Sequence, residues 1–95
     1  MENEKNTPYK TIFDHLYELK NNIGNELGLT DWVKITQENI NLFGRLTMDE
    51  QWIHTDVDKA NEHSPFGGPI AHGFMVLSYA SRFAFDTYTM ADITI

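Results

Sequence analysis

Asp49 and His54 are the two side chains whose types and spacing best suit the handling of a water molecule. A carboxylate and an imidazole that meet can hold a water between them, and the imidazole can take its proton because histidine titrates near neutral pH. A separation of five residues places the side chains about 140° apart on a helix and on opposite faces of a strand. They can therefore converge only if the segment between them is irregular. The simpler interpretation, a turn-capping Asp and an exposed His, stays open at this point.

The run Gly-Gly-Pro-Ile-Ala-His-Gly at residues 67–73 leads into a long apolar segment and is the second candidate for chemistry. The first turn of a helix carries N–H groups without an intrahelical acceptor, and such a group can stabilise a carbonyl oxygen that gains negative charge. Gly73 can offer its N–H only if the helix begins near His72, because a start at Pro69 would commit it to the Pro69 carbonyl. A plain tight turn before a buried helix is the alternative.

The other residues with chemical potential lack a supporting pattern. We expect His15 and His63 to be structural or solvent-facing, and His72 to shape the turn. Ser78 and Ser81 stand in no nucleophile motif, and serines in a buried helix usually bond to backbone carbonyls. A metal site would have to draw on Asp49, His54, Asp56, His63 and His72. These lack the close spacing of helical or finger-type ligands, so we expect no metal site.

The N-terminal part of the chain is predicted to carry a tail, a helix and a strand. Residues 1–7 are polar and form the tail. From Pro8 onward, apolar residues recur at helical spacing, which predicts an amphipathic helix that ends at Gly24 or Gly28. The segment 29–35 contains Trp, Val and Ile and is predicted to be a strand.

Two further helices must position the candidate residues. Thr36 is suited to cap a helix that ends near Thr47, and an irregular segment begins at Met48. The buried face of this helix is predicted to be formed by Ile40, Phe43 and Leu46. Residues 56–63 are predicted to form a short helix that ends before Pro65, because the residue before a proline disfavours helix.

The stretch from Phe74 to Phe85 is the most hydrophobic part of the chain, with Arg82 as its only charge. Its apolar residues go all the way round a helical wheel, and such a helix is buried on nearly every side. The preceding segments offer few elements to surround it, and the chain ends at residues 93–95 in what resembles a strand. From this imbalance we expect a truncated form that is poorly folded and inactive alone.

Composition restricts the class of protein. The 95 residues allow one small domain, and the hydrophobic fraction of 41% is ample for a packed core. The absence of cysteine excludes disulfides and thiolate nucleophiles. A net charge of −7 and scattered basic residues argue against a nucleic-acid partner. The N-terminus is not a signal peptide, and no apolar run approaches the ~20 residues that span a bilayer, so we expect a cytoplasmic location.

Taken together, residues 35–43, 49–54 and 64–74 resemble the MaoC-like dehydratase family, which contains the (R)-specific enoyl-CoA hydratases. The resemblance runs from about Pro8 to Ser81 in the same order and spacing. It implies an α+β hot-dog fold, in which a curved antiparallel sheet wraps a central helix.

The same resemblance implies how the chain divides. Residues 1–95 would be the N-terminal part of one hot-dog domain, with residues 8–28 as a helical extension. This part would hold the first strand, the active-site overhang and the central helix, whereas the later sheet strands would be missing.

The resemblance also implies roles for particular residues. Asp49 and His54 align with the catalytic pair of the family, Gly73 with its oxyanion-hole glycine, and Ser81 with a helix serine near the site. The implied reaction is the reversible addition of water to the 2,3 double bond of an enoyl thioester carried by CoA or an acyl-carrier protein. It uses neither a metal nor a redox cofactor, and the complete protein is expected to be a homodimer that binds neither nucleic acid nor membrane.

One departure from the family pattern concerns Gln51-Trp52, where many hydratases carry Asn-Pro. The nodulation-N-like branch is similar to this chain there and in the extra segment before Asp31-Trp32. Two alternatives therefore stay open: another hot-dog activity, such as a thioesterase, and a non-catalytic thioester-binding or dimerisation module.

Overall fold

The computed structural model describes residues 7–93 and has a mixed α+β composition. Most of the predicted tail and the last residues of the strand-like segment at 93–95 lie outside the described residues. The chain divides into two units. Residues 1–32 with 80–95 are called the sheet unit, and residues 33–79 the helical unit. Within the described range, no helix combines the length and the hydrophobicity needed to cross a membrane.

The elements follow one another in the order β1 (Tyr9–Phe13), a 3₁₀ helix (Leu16–Asn22), β2 (Gly28–Leu29), α1 (Gln37–Thr47), α2 (Trp52–Thr55), α3 (Val57–His63), α4 (Gly73–Ser78), α5 (Ala80–Thr87) and β3 (Tyr88–Met90). The sheet unit contains β1, β2, β3, the 3₁₀ helix and α5, and the helical unit contains α1 to α4.

The sheet has the strand order β2-β1-β3. β1 pairs with β2 in antiparallel fashion, with Tyr9 opposite Leu29, and with β3 in parallel fashion, with Phe13 opposite Met90. The parallel pair differs from the antiparallel sheet that the family resemblance implies. Among the described residues of the sheet unit, Phe13 is the one apolar residue whose side chain is buried.

The helix predicted from Pro8 is wrong over its first part, because residues 9–13 form β1 and only residues 16–22 form a 3₁₀ helix. Tyr, Thr, Ile and Phe favour a strand, and β1 finds partners on both sides. Those partners lie far away in the sequence, so apolar spacing within the segment could not reveal them. Ile23, one of the apolar residues of that predicted helix, is 85% exposed.

The strand predicted over residues 29–35 is wrong beyond Leu29. In the antiparallel register, residue 30 would lie opposite Pro8, which has no N–H to donate to the ladder. Pairing therefore stops, and Trp32 is 85% exposed.

The predictions for the helical unit are largely confirmed. Thr36 caps α1, since its hydroxyl accepts a hydrogen bond from the Asn39 N–H at 3.1 Å, and the helix ends at Thr47. Asp56 caps α3 in the same way through the Lys59 N–H at 3.1 Å. In α1 Ile40 is buried as predicted.

Two details of the helices differ from the predictions. In α1 Leu46 is 81% exposed and Gly44 is buried in its place, because the segment that follows α1 folds back onto Gly44. The apolar stretch from residue 74 to residue 85, predicted to be one helix, is divided at Tyr79 into α4 and α5. It is not buried on every side, because Phe74 and Leu77 are 78% and 63% exposed. The described residues do not supply enough apolar surface to bury this stretch on every side.

Candidate active site

Asp49 and His54 converge. The segment that joins them is irregular, which is the condition that their spacing sets for convergence. Met48 ends α1 in the left-handed conformation (φ 60°), and residues 49–51 are not helical before α2 begins. One carboxylate oxygen of Asp49 and one ring nitrogen of each of His54 and His72 all lie within 4.8 Å of one another. The structure thus brings the predicted pair together and adds a second imidazole.

The backbone of Asp49 is fixed on both sides. Its N–H donates to the Gly44 carbonyl at 2.9 Å, and its carbonyl oxygen accepts a hydrogen bond from His72 Nε2 at 2.8 Å. Gly44 makes this approach feasible, because a Cβ at that position would lie 2.9 Å from the Asp49 carbonyl oxygen. The chain therefore holds Asp49 against the last turn of α1.

The imidazole of His54 is oriented by the segment that precedes α4. Its Nδ1 lies 2.7 Å from the Ile70 carbonyl oxygen, which can only accept, so Nδ1 carries a proton and, in the neutral ring, Nε2 keeps the lone pair. Ile70 is itself held by a hydrogen bond from its N–H to the Ile53 carbonyl at 3.0 Å. On the other side, the Gln37 amide donates to the His54 carbonyl at 2.6 Å. This tautomer leaves Nε2 free to accept a proton from water.

Gly73 is the first residue of α4, with His72 as the N-cap. The first intrahelical bond runs from the Val76 N–H to the His72 carbonyl at 3.2 Å. The helix thus begins near His72 rather than at Pro69, which is the start that the sequence argument required. Gly73 is exposed, and an added Cβ would meet nothing within 4 Å. Its surroundings are open to a substrate group.

Ser81 belongs to the sheet unit, where it is exposed on α5. It lines a cavity of about 620 Å³ together with Ala84, Phe85, Tyr88, Thr89, Met90 and Ile93. The cavity wall is mostly apolar, and Ser81 is one of its few polar residues.

His72 is the site residue that sequence reasoning missed. It was expected only to shape the turn, but it is 3% exposed and stacks on His54 with a centroid distance of 3.8 Å. Its position before a helix could have revealed it, because Ser, Thr, Asp or Asn is usual at an N-cap. His15 and His63 lie at the surface as expected, beside Asp92 at 3.5 Å and Glu62 at 3.8 Å respectively.

Asp49, His54 and His72 are residue types that can bind a metal ion, but the relative orientation of the two imidazole rings does not suit a metal site. A metal ion lies about 2.0–2.1 Å from an imidazole nitrogen and close to the ring plane. The rings of His54 and His72 are inclined by only 23°, so their in-plane lone pairs do not meet at a common point this close to both. The arrangement fits a proton-transfer pair with a supporting imidazole better than a metal centre.

Comparison with known proteins identifies the family of this chain. A family model for the MaoC like domain matches residues 18–95. A 3-hydroxyacyl-thioester dehydratase Z from Mycobacterium tuberculosis is 43% identical over 81 residues, which are 85% of this chain and 53% of that protein. Nodulation protein N from Rhizobium meliloti is 46% identical over 71 residues, which are 75% of this chain and 44% of that protein. The chain thus spans about half the length of the curated relatives that it matches. Because the family model covers most of the chain, the chain belongs to the MaoC-like dehydratase family.

Proposed function

We propose that the protein catalyses the reversible hydration of 2-enoyl thioesters to 3-hydroxyacyl thioesters, with CoA as the carrier. The observation that carries this proposal is the convergence of the Asp49 carboxylate and the His54 imidazole within 4.8 Å. The dehydratase named among the relatives acts, by its name, on 3-hydroxyacyl thioesters, which are the products of this hydration. A reversible reaction connects the two directions.

In the proposed reaction, a water molecule lies between the Asp49 carboxylate and Nε2 of His54. The carboxylate accepts one hydrogen bond from the water, and Nε2 takes its other proton as the oxygen bonds to C3 of the substrate. The Ile70 carbonyl stabilises the positive charge that the imidazole gains, because it accepts from Nδ1–H at 2.7 Å. The proton that Nε2 has taken is then delivered to C2, which returns the His54 imidazole to its neutral form and completes the net addition of one water molecule.

The Gly73 N–H is proposed to bind the thioester carbonyl. Electrons move from the double bond onto this oxygen when water adds, and a hydrogen-bond donor there stabilises the resulting enolate. The open space around Gly73 supports this role. We also propose that Ser81 contacts the substrate, so Ser81→Ala should raise KM more than it lowers kcat.

The proposal is tested by adding the natural protein, purified in the form in which its cell produces it, to crotonyl-CoA. We expect the absorbance of the conjugated double bond to fall. Asp49→Asn and His54→Ala should each lower kcat by about 10²–10⁴-fold. Asp58→Asn and His63→Ala are matched controls, because both residues are exposed on α3, and they should leave kcat unchanged.

Two results would change the assignment. Release of free CoA and crotonate, with no 3-hydroxyacyl thioester formed, would replace the hydratase by a thioesterase. Thioester binding without any turnover would indicate a binding or dimerisation module in which the pair is idle.

The larger architecture is also part of the proposal. Membership of the family supports a hot-dog fold and a homodimer for the whole protein, which sedimentation would check. The 95-residue polypeptide by itself is expected to be inactive and to melt without a sharp transition. The reason is that large apolar side chains such as Phe74, Phe66 and Trp32 are 78%, 68% and 85% exposed in it.

A further inference from the structure

We propose that His72 is a positioning residue that acts through both members of the Asp49–His54 pair. The inference rests on the proposed hydratase function and deepens it. Among the residues that the structure describes, His72 is the one polar residue that is buried. The proposed reaction does not use its ring.

The first contact fixes Asp49. A carbonyl oxygen cannot donate, so the 2.8 Å contact from His72 Nε2 requires a proton on that nitrogen. The bonded carbonyl belongs to Asp49 itself and lies one covalent bond from its Cα. Any movement of the His72 ring therefore moves the backbone from which the carboxylate projects.

The second contact fixes the ring plane of His54. The two imidazoles stack at 3.8 Å with an inclination of 23°, and Phe43 covers His72 at 4.9 Å with an inclination of 56°. The His72 ring thus contacts both an aromatic ring and the proposed base. Because Nδ1 of His54 is tied to the Ile70 carbonyl, a fixed ring plane also fixes the direction of the Nε2 lone pair.

The third observation is that the side chain of His72 does not cap the helix that begins beside it. It stands at the N-cap of α4, yet its side chain makes no capping hydrogen bond. Its Nδ1 is buried without a hydrogen-bond partner in the structure. A residue that neither caps its helix nor satisfies its own buried nitrogen breaks two local rules of stability, and such departures concentrate at functional sites.

These observations predict an effect on turnover rather than on substrate affinity. His72 reaches Asp49 and His54 from inside the protein and is only 3% exposed. Its loss should leave thioester binding almost intact while the water and the two catalytic groups lose their alignment.

Two replacements separate the hydrogen bond from the ring. His72→Phe keeps a ring for stacking but removes the donor to Asp49. His72→Gln places an amide N–H close to the position of Nε2 but removes the ring. We expect kcat for crotonyl-CoA hydration to fall about 100-fold in the Phe variant and about 10-fold in the Gln variant, with KM within about threefold of the wild type. His63→Phe, at an exposed position on α3, is the matched control and should change neither constant.

The constants are compared at equal concentrations of folded protein, measured by near-ultraviolet circular dichroism. A Phe variant with wild-type kcat would overturn the inference, and so would a loss confined to KM or one that Gln does not relieve. If the Phe variant does not fold, the Gln variant decides, and wild-type kcat in that variant overturns the inference. An inert wild type is a different failure, because it removes the hydratase function and the positioning role with it.

Discussion

The helical unit is organised by residues that are close in the sequence, whereas the sheet unit depends on residues that are far apart. Thr36 and Asp56 cap their helices through N–H groups three residues away. In the sheet unit, the Leu16 N–H donates to the Asp92 carboxylate across 76 positions. The comparison teaches that short-range signals determine the helices around the site, while the strands are determined by their partners.

In the helical unit, a single methyl group added at Gly44 should displace the backbone of Asp49. Gly44→Ala adds a Cβ 2.9 Å from the Asp49 carbonyl oxygen and 3.5 Å from the His72 ring. Alanine favours helix, but the crowded atom is a backbone oxygen that cannot rotate away. We expect kcat to fall about 100-fold and the free energy of unfolding to fall by about 1–3 kcal/mol.

Hydration kinetics and a urea titration measure the two effects. Leu46→Ala is the control in the same helix, because Leu46 is 81% exposed and its truncation should change little. Wild-type kcat in the Gly44 variant would show that the last turn of α1 does not hold Asp49.

Gly28 makes the corresponding test of the sheet unit. A Cβ there would lie 2.7 Å from the Tyr9 carbonyl oxygen and would overlap Thr87. Gly28→Ala should therefore separate β2 from β1 and lower the free energy of unfolding by about 1–3 kcal/mol. Hydrogen exchange of the backbone amides in β1 and β2 should become faster. The exposed Ile23→Ala serves as the control, and unchanged exchange in the Gly28 variant would contradict the observed register.

This contrast explains what the sequence could predict about the fold. The start of α1 and the end of α3 followed from Thr36 and Pro65, each of which acts within a few residues of the helix end. Neither β1 nor β3 has such a signal. Strand pairing overrode the apolar spacing that follows Pro8, and spacing within a segment contains no information about a partner 77 positions away.

The residues of the site show the same contrast between short-range signals, which the sequence reveals, and long-range contacts, which it does not. The convergence of Asp49 and His54 follows from their short separation and an irregular backbone. The start of α4 at Gly73 was left open by the sequence, because Pro69 could also have opened the helix. His72 was missed because its bond to Asp49 crosses 23 positions. Gly44 was missed because only the folded chain shows what approaches it.

A smaller effect tests whether local capping determines α1. Thr36→Ala removes the oxygen that accepts from the Asn39 N–H, and should cost about 1 kcal/mol. Thr36→Ser keeps this oxygen and should retain most of the stability in a thermal melt. Equal losses in both variants would show that the methyl group of Thr36, rather than the cap, matters.

The smallest expected effect is a single contact on the surface of the sheet unit, between residues 17 positions apart. The Tyr9 hydroxyl donates to the Glu26 carboxylate at 2.6 Å, and this hydrogen bond is the main reason why the pKa of Tyr9 is raised above its ordinary value of 10.0. A raised pKa means that the folded state holds the phenol proton more tightly than the unfolded state does. The contribution to stability is therefore present below pH 10.0 and is lost as the pH rises through the pKa of the folded state.

Glu26→Ala removes the acceptor and the negative charge together, so it should return the pKa of Tyr9 most of the way to 10.0. Glu26→Gln keeps an acceptor oxygen and should return it only in part. An alkaline titration followed by the absorbance of tyrosinate assigns the step, since Tyr9→Phe abolishes it. An unchanged pKa of Tyr9 in the Glu26→Ala variant would show that this contact does not form in solution. The order of the pKa of Tyr9 in the wild type, the Glu26→Gln variant and the Glu26→Ala variant therefore tests whether the long-range contacts of the sheet unit extend to its exposed edge.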